Sequence, residues 1–244
     1  MRDRPIAARL DARQAISDGL AVFFLALEHA VSFLPGQHAH LGIRDRGKLI
    51  EGTYSIVSSP HEGLLEFFIE RVDDDRFTAR LFRLEPGSAL LVKPPQGRFL
   101  LDRDSGRPHH VMIATGTGVA PFVSMVRTVS IEEGRNRPPG IRIALLHGAS
   151  YADRLGYDAE LRGIAASRPW LTYVPAVSRP SENPGWGGES GRIESIIEEA
   201  LDRLGWTPRD TTAYLCGHAG MIEKGEKILA DRGYHETQTR AERT

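Results

Sequence analysis

From residue 4 to about residue 100, apolar positions come in short runs, each closed by a turn dipeptide. Runs at 5–10, 20–27, 38–43, 50–57, 64–70 and 89–93 read as strands. The turns between them carry Asp18-Gly19, Pro35-Gly36, Arg46-Gly47, Glu62-Gly63 and Pro86-Gly87. Many short strands at this spacing predict a small antiparallel β-barrel. One helical stretch interrupts them. Thr78–Leu84 has an N-cap candidate in Thr78 and apolar residues at 81, 82 and 84. It can be a connecting helix, or a phosphate-binding N-terminus to which Arg80 adds charge. The segment Pro94–Phe99 ends the region, and the polar stretch 102–110, with His109 and His110, reads as a solvated linker.

From 111 onward strands and helices alternate. Strands fit 111–114, 141–146, 171–177 and 211–216, and helices fit 121–133, 153–166, 192–204 and 218–232. The clearest helix is 192–204, where Ile193, Ile196, Ile197, Ala200, Leu201 and Leu204 line one face. Such alternation predicts an α/β domain with a parallel sheet, which binds ligands at the carboxyl ends of its strands. The expected division is a β-barrel domain at 1–101 and a nucleotide-type α/β domain at 102–244.

The second domain opens on Val111-Met112-Ile113-Ala114-Thr115-Gly116-Thr117-Gly118-Val119-Ala120-Pro121-Phe122. Four apolar residues make a strand buried on both faces, and Pro121 suits the first turn of a helix. Bare glycines let a pyrophosphate approach the backbone, and the free N–H groups of a helix start bind it. The alternative is an ordinary tight turn, since Pro121 stands where a third glycine would complete the dinucleotide pattern. The other strands end in His147-Gly148-Ala149-Ser150, Ser178-Arg179-Pro180 and Cys216-Gly217-His218, on the same expected rim. Arg179 can hold a phosphate as a bidentate donor or lie solvated. Cys216 can be simply a small buried residue. In the first domain, Gly52–Pro60 carries Tyr54 and Ser55, an aromatic platform beside a hydroxyl that would suit a conjugated ring; the alternative is a packed barrel tyrosine.

Composition excludes several classes. A net charge of −1 over 244 residues argues against nucleic-acid or membrane-surface binding. The longest apolar run, Leu20–Leu27, is too short to span a bilayer, so no membrane association and a cytoplasmic location are the defaults. Cys216 is the only cysteine, which rules out an internal disulfide, a Cys-ligated zinc site or an iron–sulfur cluster within this sequence; no metal site is expected. Residues 76–107 hold seven Arg or Lys against three acids, a local +4, and 189–244 hold eight against eleven, a local −3. The first window suggests a basic face or plain solvated surface.

The order Tyr54-Ser55, the 78–84 helix, Gly116-Thr117-Gly118-Val119-Ala120-Pro121, Ser178-Arg179 and Cys216-Gly217-x-x-x-Met221 resembles the ferredoxin–NADP reductase family, in its bacterial branch, from about residue 20 to 234. The resemblance implies an FAD-binding barrel and an NADP(H)-binding α/β domain. It implies Tyr54 stacked on the isoalloxazine, and Ser55 and Cys216 as catalytic residues at the flavin edge and the nicotinamide. Phe68, Ile69 and Glu70 with Thr78, Ala79 and Arg80 would hold flavin and pyrophosphate. Thr115, Gly116, Thr117, Gly118 and Pro121 would bind the nicotinamide nucleotide, with Gly217 beside it. Ser178, Arg179 and Arg192 would take the 2′-phosphate and so prefer NADPH over NADH. The direction of Glu182, between Pro180 and Pro184, is not legible.

Two positions depart from the family pattern. Gly52 stands where the family has an arginine, and the polar tail ending Ala241-Glu242-Arg243-Thr244 replaces a terminal aromatic. From its composition the tail is expected to leave the flavin face uncapped, and deletion of 237–244 to change NADPH oxidation little. The implied function is hydride transfer from NADPH to FAD, then single electrons to ferredoxin or flavodoxin docked on the 76–107 face of a monomer. Alternatives are an oxygenase reductase component, a free-flavin reductase, or a non-catalytic flavin- or nucleotide-sensing module.

Overall fold

The computed structural model describes residues 4–72 and 75–243; Met1–Asp3 and Thr244, which the terminal readings included, lie outside the described residues. Contacts divide the chain into two compact units, Met1–Leu100 with Ala120–Thr128, and Leu101–Val119 with Val129–Thr244. A single cut at 101/102 therefore does not separate them. Residues 120–128 count with the first unit, where Ser124 Oγ donates to Ser58 O at 2.7 Å and Phe122 packs against Phe99.

The first unit holds β1 (Ile6–Ser17), β2 (Leu20–Leu27), β3 (His38–Asp45), β4 (Lys48–Ser55), β5 (Leu65–Glu70) and β6 (Ala89–Val92), with helix α1 (Arg76–Leu81). The strands form one antiparallel sheet in the order β4-β3-β6-β1-β2-β5. Arg46 and Gly47, both at positive φ, make the two-residue hairpin between β3 and β4, whose twist matches that of the strands. Irregularities in β1 at Leu10/Ala12 and Ala15/Ser17 add twist, and a bridge from Ile56 to Phe67 joins the two ends of the sheet. The result is the expected antiparallel barrel, around Leu10, Phe23, Leu25, Leu41, Ile56 and Phe67.

Helix α1 corrects one reading. It begins at Arg76, not Thr78, and its N-cap is Asp75, whose carboxylate accepts from Phe77 N at 2.8 Å and Thr78 N at 3.4 Å. An aspartate caps at least as well as a threonine and also complements the positive helix end. Thr78 is buried, and its hydroxyl donates to Val72 O at 3.1 Å.

The second unit contains β7 (His109–Thr115), β8 (Arg142–Ala149), β9 (Leu171–Val177), β10 (Glu189–Ser190), β11 (Thr211–Gly217) and β12 (Thr239–Arg243). They pair in parallel in the order β10-β9-β8-β7-β11-β12. Its helices are α3 (Asp158–Ser167), α4 (Ile197–Leu204) and α5 (Ala219–Asp231), while α2 (Ala120–Gly134) follows β7 with its first nine residues counted in the first unit. The chain steps outward from β7 to β10 and then returns to β11 on the other side of β7. The crevice between the carboxyl ends of β7 and β11 is thus the topological switch point of the sheet.

One expectation fails here. His110 is not in a solvated loop: it lies inside β7, fully buried between Ile143 and Thr212, and His109 stacks on Trp206 at 4.6 Å. The polar tail is structured as well. Residues Thr239–Arg243 add the edge strand β12 to β11, and Arg240 donates to Asp102 at 2.6 Å while lying over the Tyr214 ring. Its polar sequence is that of a one-sided edge strand, in which charge discourages further pairing.

Candidate functional site

In the second unit, four strand ends and their loops build the rim. Gly116 leaves β7 at φ +55, and a Cβ there would meet nothing within 4 Å. Residues Gly116–Val119 form a 3-10 turn leading into α2, whose N-cap, Val119, has no side-chain hydrogen bond; Pro121 sits in the first turn, as expected. The helix start therefore presents main-chain N–H groups without a side-chain acceptor at its cap. Gly118 is small for another reason. A Cβ there would lie 2.3 Å from Cys216 O, so two backbones touch across the switch point. Gly217 is held at φ +136 against Thr115, whose Oγ1 accepts from His218 N at 3.1 Å.

Cys216 itself is fully buried, and burial pushes its thiol well above the usual range. A wholly buried neutral thiol packs at the strand end, and Gly217 beside it is buried as well.

Ser178 and Arg179 leave β9, and β10 brings Gly191-Arg192 alongside them. Glu189 pairs with Ala176 and Ser190 with Val177, and Gly191 N donates to Val177 O at 2.9 Å. The two arginines, separated by a glycine-rich excursion in sequence, thus leave adjacent parallel strand ends, and both are exposed. Two residues here, Tyr151 and Asn183, escaped the sequence reading, and a third, Glu182, had no readable direction. Tyr151 Oη accepts from Arg179 Nη1 at 2.7 Å, Glu182 lies 3.6 Å from the same nitrogen, and Asn183 Nδ2 donates to Arg179 O at 2.7 Å. A hydrophilic residue after a tight turn was their only sequence signal.

One more group lies beneath the rim. His147 of β8 is fully buried with Nδ1 3.1 Å from Tyr173 Oη, and burial lowers its pKa to about 4, so it stays neutral.

In the first unit, Tyr54 is half-buried and stacks on Phe77, with ring centroids 5.6 Å apart and planes at 29°. Burial, with Asp75 nearby, pushes its phenol up, so it is un-ionised. Ser55 ends β4 opposite His38. Gly52 lies under the Tyr54 ring: a Cβ there would approach Tyr54 Cε2 to 2.6 Å and Phe77 Cδ1 to 2.8 Å. The missing family arginine is therefore incompatible with this placement of Tyr54. Phe68, Ile69 and Glu70 pair with β2 in β5, the last strand of the order, and the first two are buried.

The expected phosphate end differs. The second and third amides of α1 are bound by Asp75, and Arg80 is paired to Asp45 at 3.0 Å. Ala79 lies half-buried between Thr78 and Arg80 within the helix. Thr78–Arg80 thus do not form the open, cationic helix start that the sequence suggests. The platform fits a flavin ring; the phosphate end fits only if Arg80 exchanges Asp45 for phosphate.

The basic window also shrinks in space. Arg80, Lys93, Arg103 and Arg107 each face an acid, Asp45, Glu51, Glu132 and Asp102 respectively. Three of those acids lie outside 76–107, so the window charge overstates the field; Arg76, Arg83 and Arg98 remain exposed. Among the described residues no helix is long and apolar enough to cross a membrane.

Comparison with known proteins agrees with this division. Residues 7–100 match an oxidoreductase FAD-binding domain and residues 112–227 an oxidoreductase NAD-binding domain. A ferredoxin–NADP reductase of Pseudomonas aeruginosa is 28% identical over 227 residues, 89% of this chain and 86% of that protein. The anthranilate 1,2-dioxygenase electron transfer component of Acinetobacter baylyi is 30% identical, covering 93% of this chain but 64% of that longer protein. The fold superposes on a Neisseria gonorrhoeae ferredoxin NADP+ reductase crystallised with FAD and NADP, with a TM-score of 0.86 at 24% identity over 100% of this chain and 99% of that one. Ferredoxin–NADP reductase A of Sorangium cellulosum is 30% identical over 84% of this chain and 75% of that protein, and on that footing the chain belongs to the ferredoxin–NADP reductase family.

Proposed function

We propose that this chain is an FAD-dependent NADP(H) oxidoreductase that exchanges electrons with ferredoxin or flavodoxin. The observation that carries the reading is the switch-point rim, with the open left-handed Gly116 and the uncapped start of α2 beside Gly217. A parallel sheet binds a dinucleotide there because backbone N–H groups and the helix dipole meet the pyrophosphate. Bound flavin supplies the hydride acceptor and the change from two-electron to one-electron transfer.

The chain's own residues supply placement. Tyr54, held flat by Phe77, offers the ring platform, and Ser55 a hydroxyl to hydrogen-bond the ring edge. Main chain at Phe68–Glu70 lies in β5, which the Ile56–Phe67 bridge joins to the end of β4, and Arg80 would be the cation for the flavin phosphates. Thr115–Gly118 and Pro121 shape the nicotinamide nucleotide's pyrophosphate site. Cys216 acts through its backbone, as a positioning residue for Gly118 and Gly217. Ser178, Arg179 and Arg192 recognise the 2′-phosphate, which a carboxylate facing the ribose would instead repel. The partner would dock near Arg76, Arg83 and Arg98.

A second reading, a reductase component serving an oxygenase, is favoured by the similarity to the Acinetobacter protein. The decisive experiment identifies the flavin released from purified protein. It then titrates the holoenzyme anaerobically with NADPH and NADH, and compares reduction of ferredoxin, flavodoxin and free flavin. FAD release, NADPH preference and rapid ferredoxin or flavodoxin reduction are expected. Absence of NADPH oxidation with any artificial acceptor would instead favour a sensing module.

A further inference from the structure

Arg179 does not stand alone at the end of β9. A short turn, Pro180–Glu182, brings the Glu182 carboxylate back over it, with Glu182 Oε1 3.6 Å from Arg179 Nη1. Tyr151 closes the triangle: its hydroxyl accepts from Arg179 Nη1 at 2.7 Å and donates to Glu182 Oε2 at 2.9 Å. The guanidinium also lies over the Tyr151 ring, 5.3 Å from its centroid.

The backbone beneath this triangle is pinned. Asn183 Oδ1 accepts from Ala152 N at 2.7 Å, while its Nδ2 donates to Arg179 O at 2.7 Å and Ser150 O at 3.3 Å. One side chain thus ties the loop after β8 to the loop after β9. What remains free to exchange partners is the side-chain triangle, and both its charged members are 54% exposed. Such a pair is weak enough for a ligand to open.

We infer that Glu182 sets coenzyme specificity by competing with the 2′-phosphate for Arg179. This rests on the reading that Arg179 takes that phosphate. A phosphate dianion brought to Arg179 meets a carboxylate already on the guanidinium, and two anions on one cation repel. A bare 2′-hydroxyl brings no second anion and leaves the triangle closed. Glu182 therefore narrows the preference for NADPH that Ser178, Arg179 and Arg192 create, a repulsive element set against an attractive one.

The test uses the flavin-loaded protein and two probes, 2′,5′-ADP and 5′-ADP, titrated calorimetrically at low salt. Glu182→Gln keeps the shape of the side chain and an oxygen for Tyr151 but removes the charge. It is expected to tighten 2′,5′-ADP about fivefold, the size of one exposed charge pair, and to change 5′-ADP less than twofold. In an Arg179→Ala background the same substitution should gain nothing, because the shared cation is gone. Unchanged 2′,5′-ADP affinity in Glu182→Gln overturns the inference, as does an equal gain without Arg179, which would be general field relief. Wild-type protein that binds both probes equally would overturn the 2′-phosphate reading itself, and the inference with it.

Discussion

Each unit places a helix start where the sequence promised an anion site, and the two differ in kind. After β7 the chain turns through an open glycine into α2, and no side chain caps the turn. In the barrel, α1 begins on Asp75, and Arg80 in its last turn is held by Asp45. A parallel sheet delivers every strand end to one rim, so topology alone leaves backbone donors facing a ligand. A barrel has no such rim. Its polar groups must be supplied by side chains, and in this chain they already satisfy one another.

The largest expected effect tests the polar interior of the α/β unit. Burial holds His110 and His147 near pKa 4, against an ordinary value of 6.5, so the unfolded chain protonates first on acidification. The stability they confer is complete above about pH 6.5 and lost as pH falls through about 4, up to roughly 3 kcal/mol each. All three tryptophans, Trp170, Trp186 and Trp206, lie in this unit, so urea melts followed by their fluorescence at pH 7, 5.5 and 4.5 read it directly. An unmoved midpoint would mean that neither histidine is buried neutral.

Next come the two glycines of the turn. Gly118→Ala forces a Cβ into the Cys216 carbonyl and should cost about 3 kcal/mol. Gly116→Ala meets open space and only the left-handed backbone, about 1 kcal/mol. Equal losses in thermal denaturation would erase the distinction between packing and conformation. Truncation after Gln238 removes β12 with the Arg240–Asp102 bond, and a loss of about 2 kcal/mol is expected. A truncated chain as stable as the full one would show that β12 adds no stability.

The smallest effect sharpens the barrel side. Asp75→Ala should destabilise the first unit by about 1 kcal/mol, while Asp75→Asn, which still caps, should lose only a few tenths. If Asp75 also repels the flavin phosphates, Asp75→Asn should tighten FAD, measured by fluorescence quenching. Identical behaviour of the two variants in both assays would show that Asp75 does not close the helix.

Local grammar carried much of this molecule. The turns at Asp18-Gly19 and Arg46-Gly47 are legible because Gly19 and Gly47 sit at positive φ, which glycine adopts without steric cost. The change from short apolar runs to strand–helix alternation near 111 located the α/β unit, since period and segment length are intrinsic to each element. The shared rim followed from parallel order, without any coordinates.

What the tertiary structure decided were pairings between residues far apart in the chain. Polar Thr239–Arg243 becomes a strand only because β11 offers it an edge, and His110 is buried only because strands lie on both sides of it. Gly52 reads as a lost phosphate ligand until Tyr54 and Phe77 are seen to need its space. Arg80 and Arg179 read as open cations until Asp45 and Glu182 face them. Propensity and periodicity are set by neighbours along the chain, whereas burial and ion pairing depend on which distant groups the fold brings within a few ångströms.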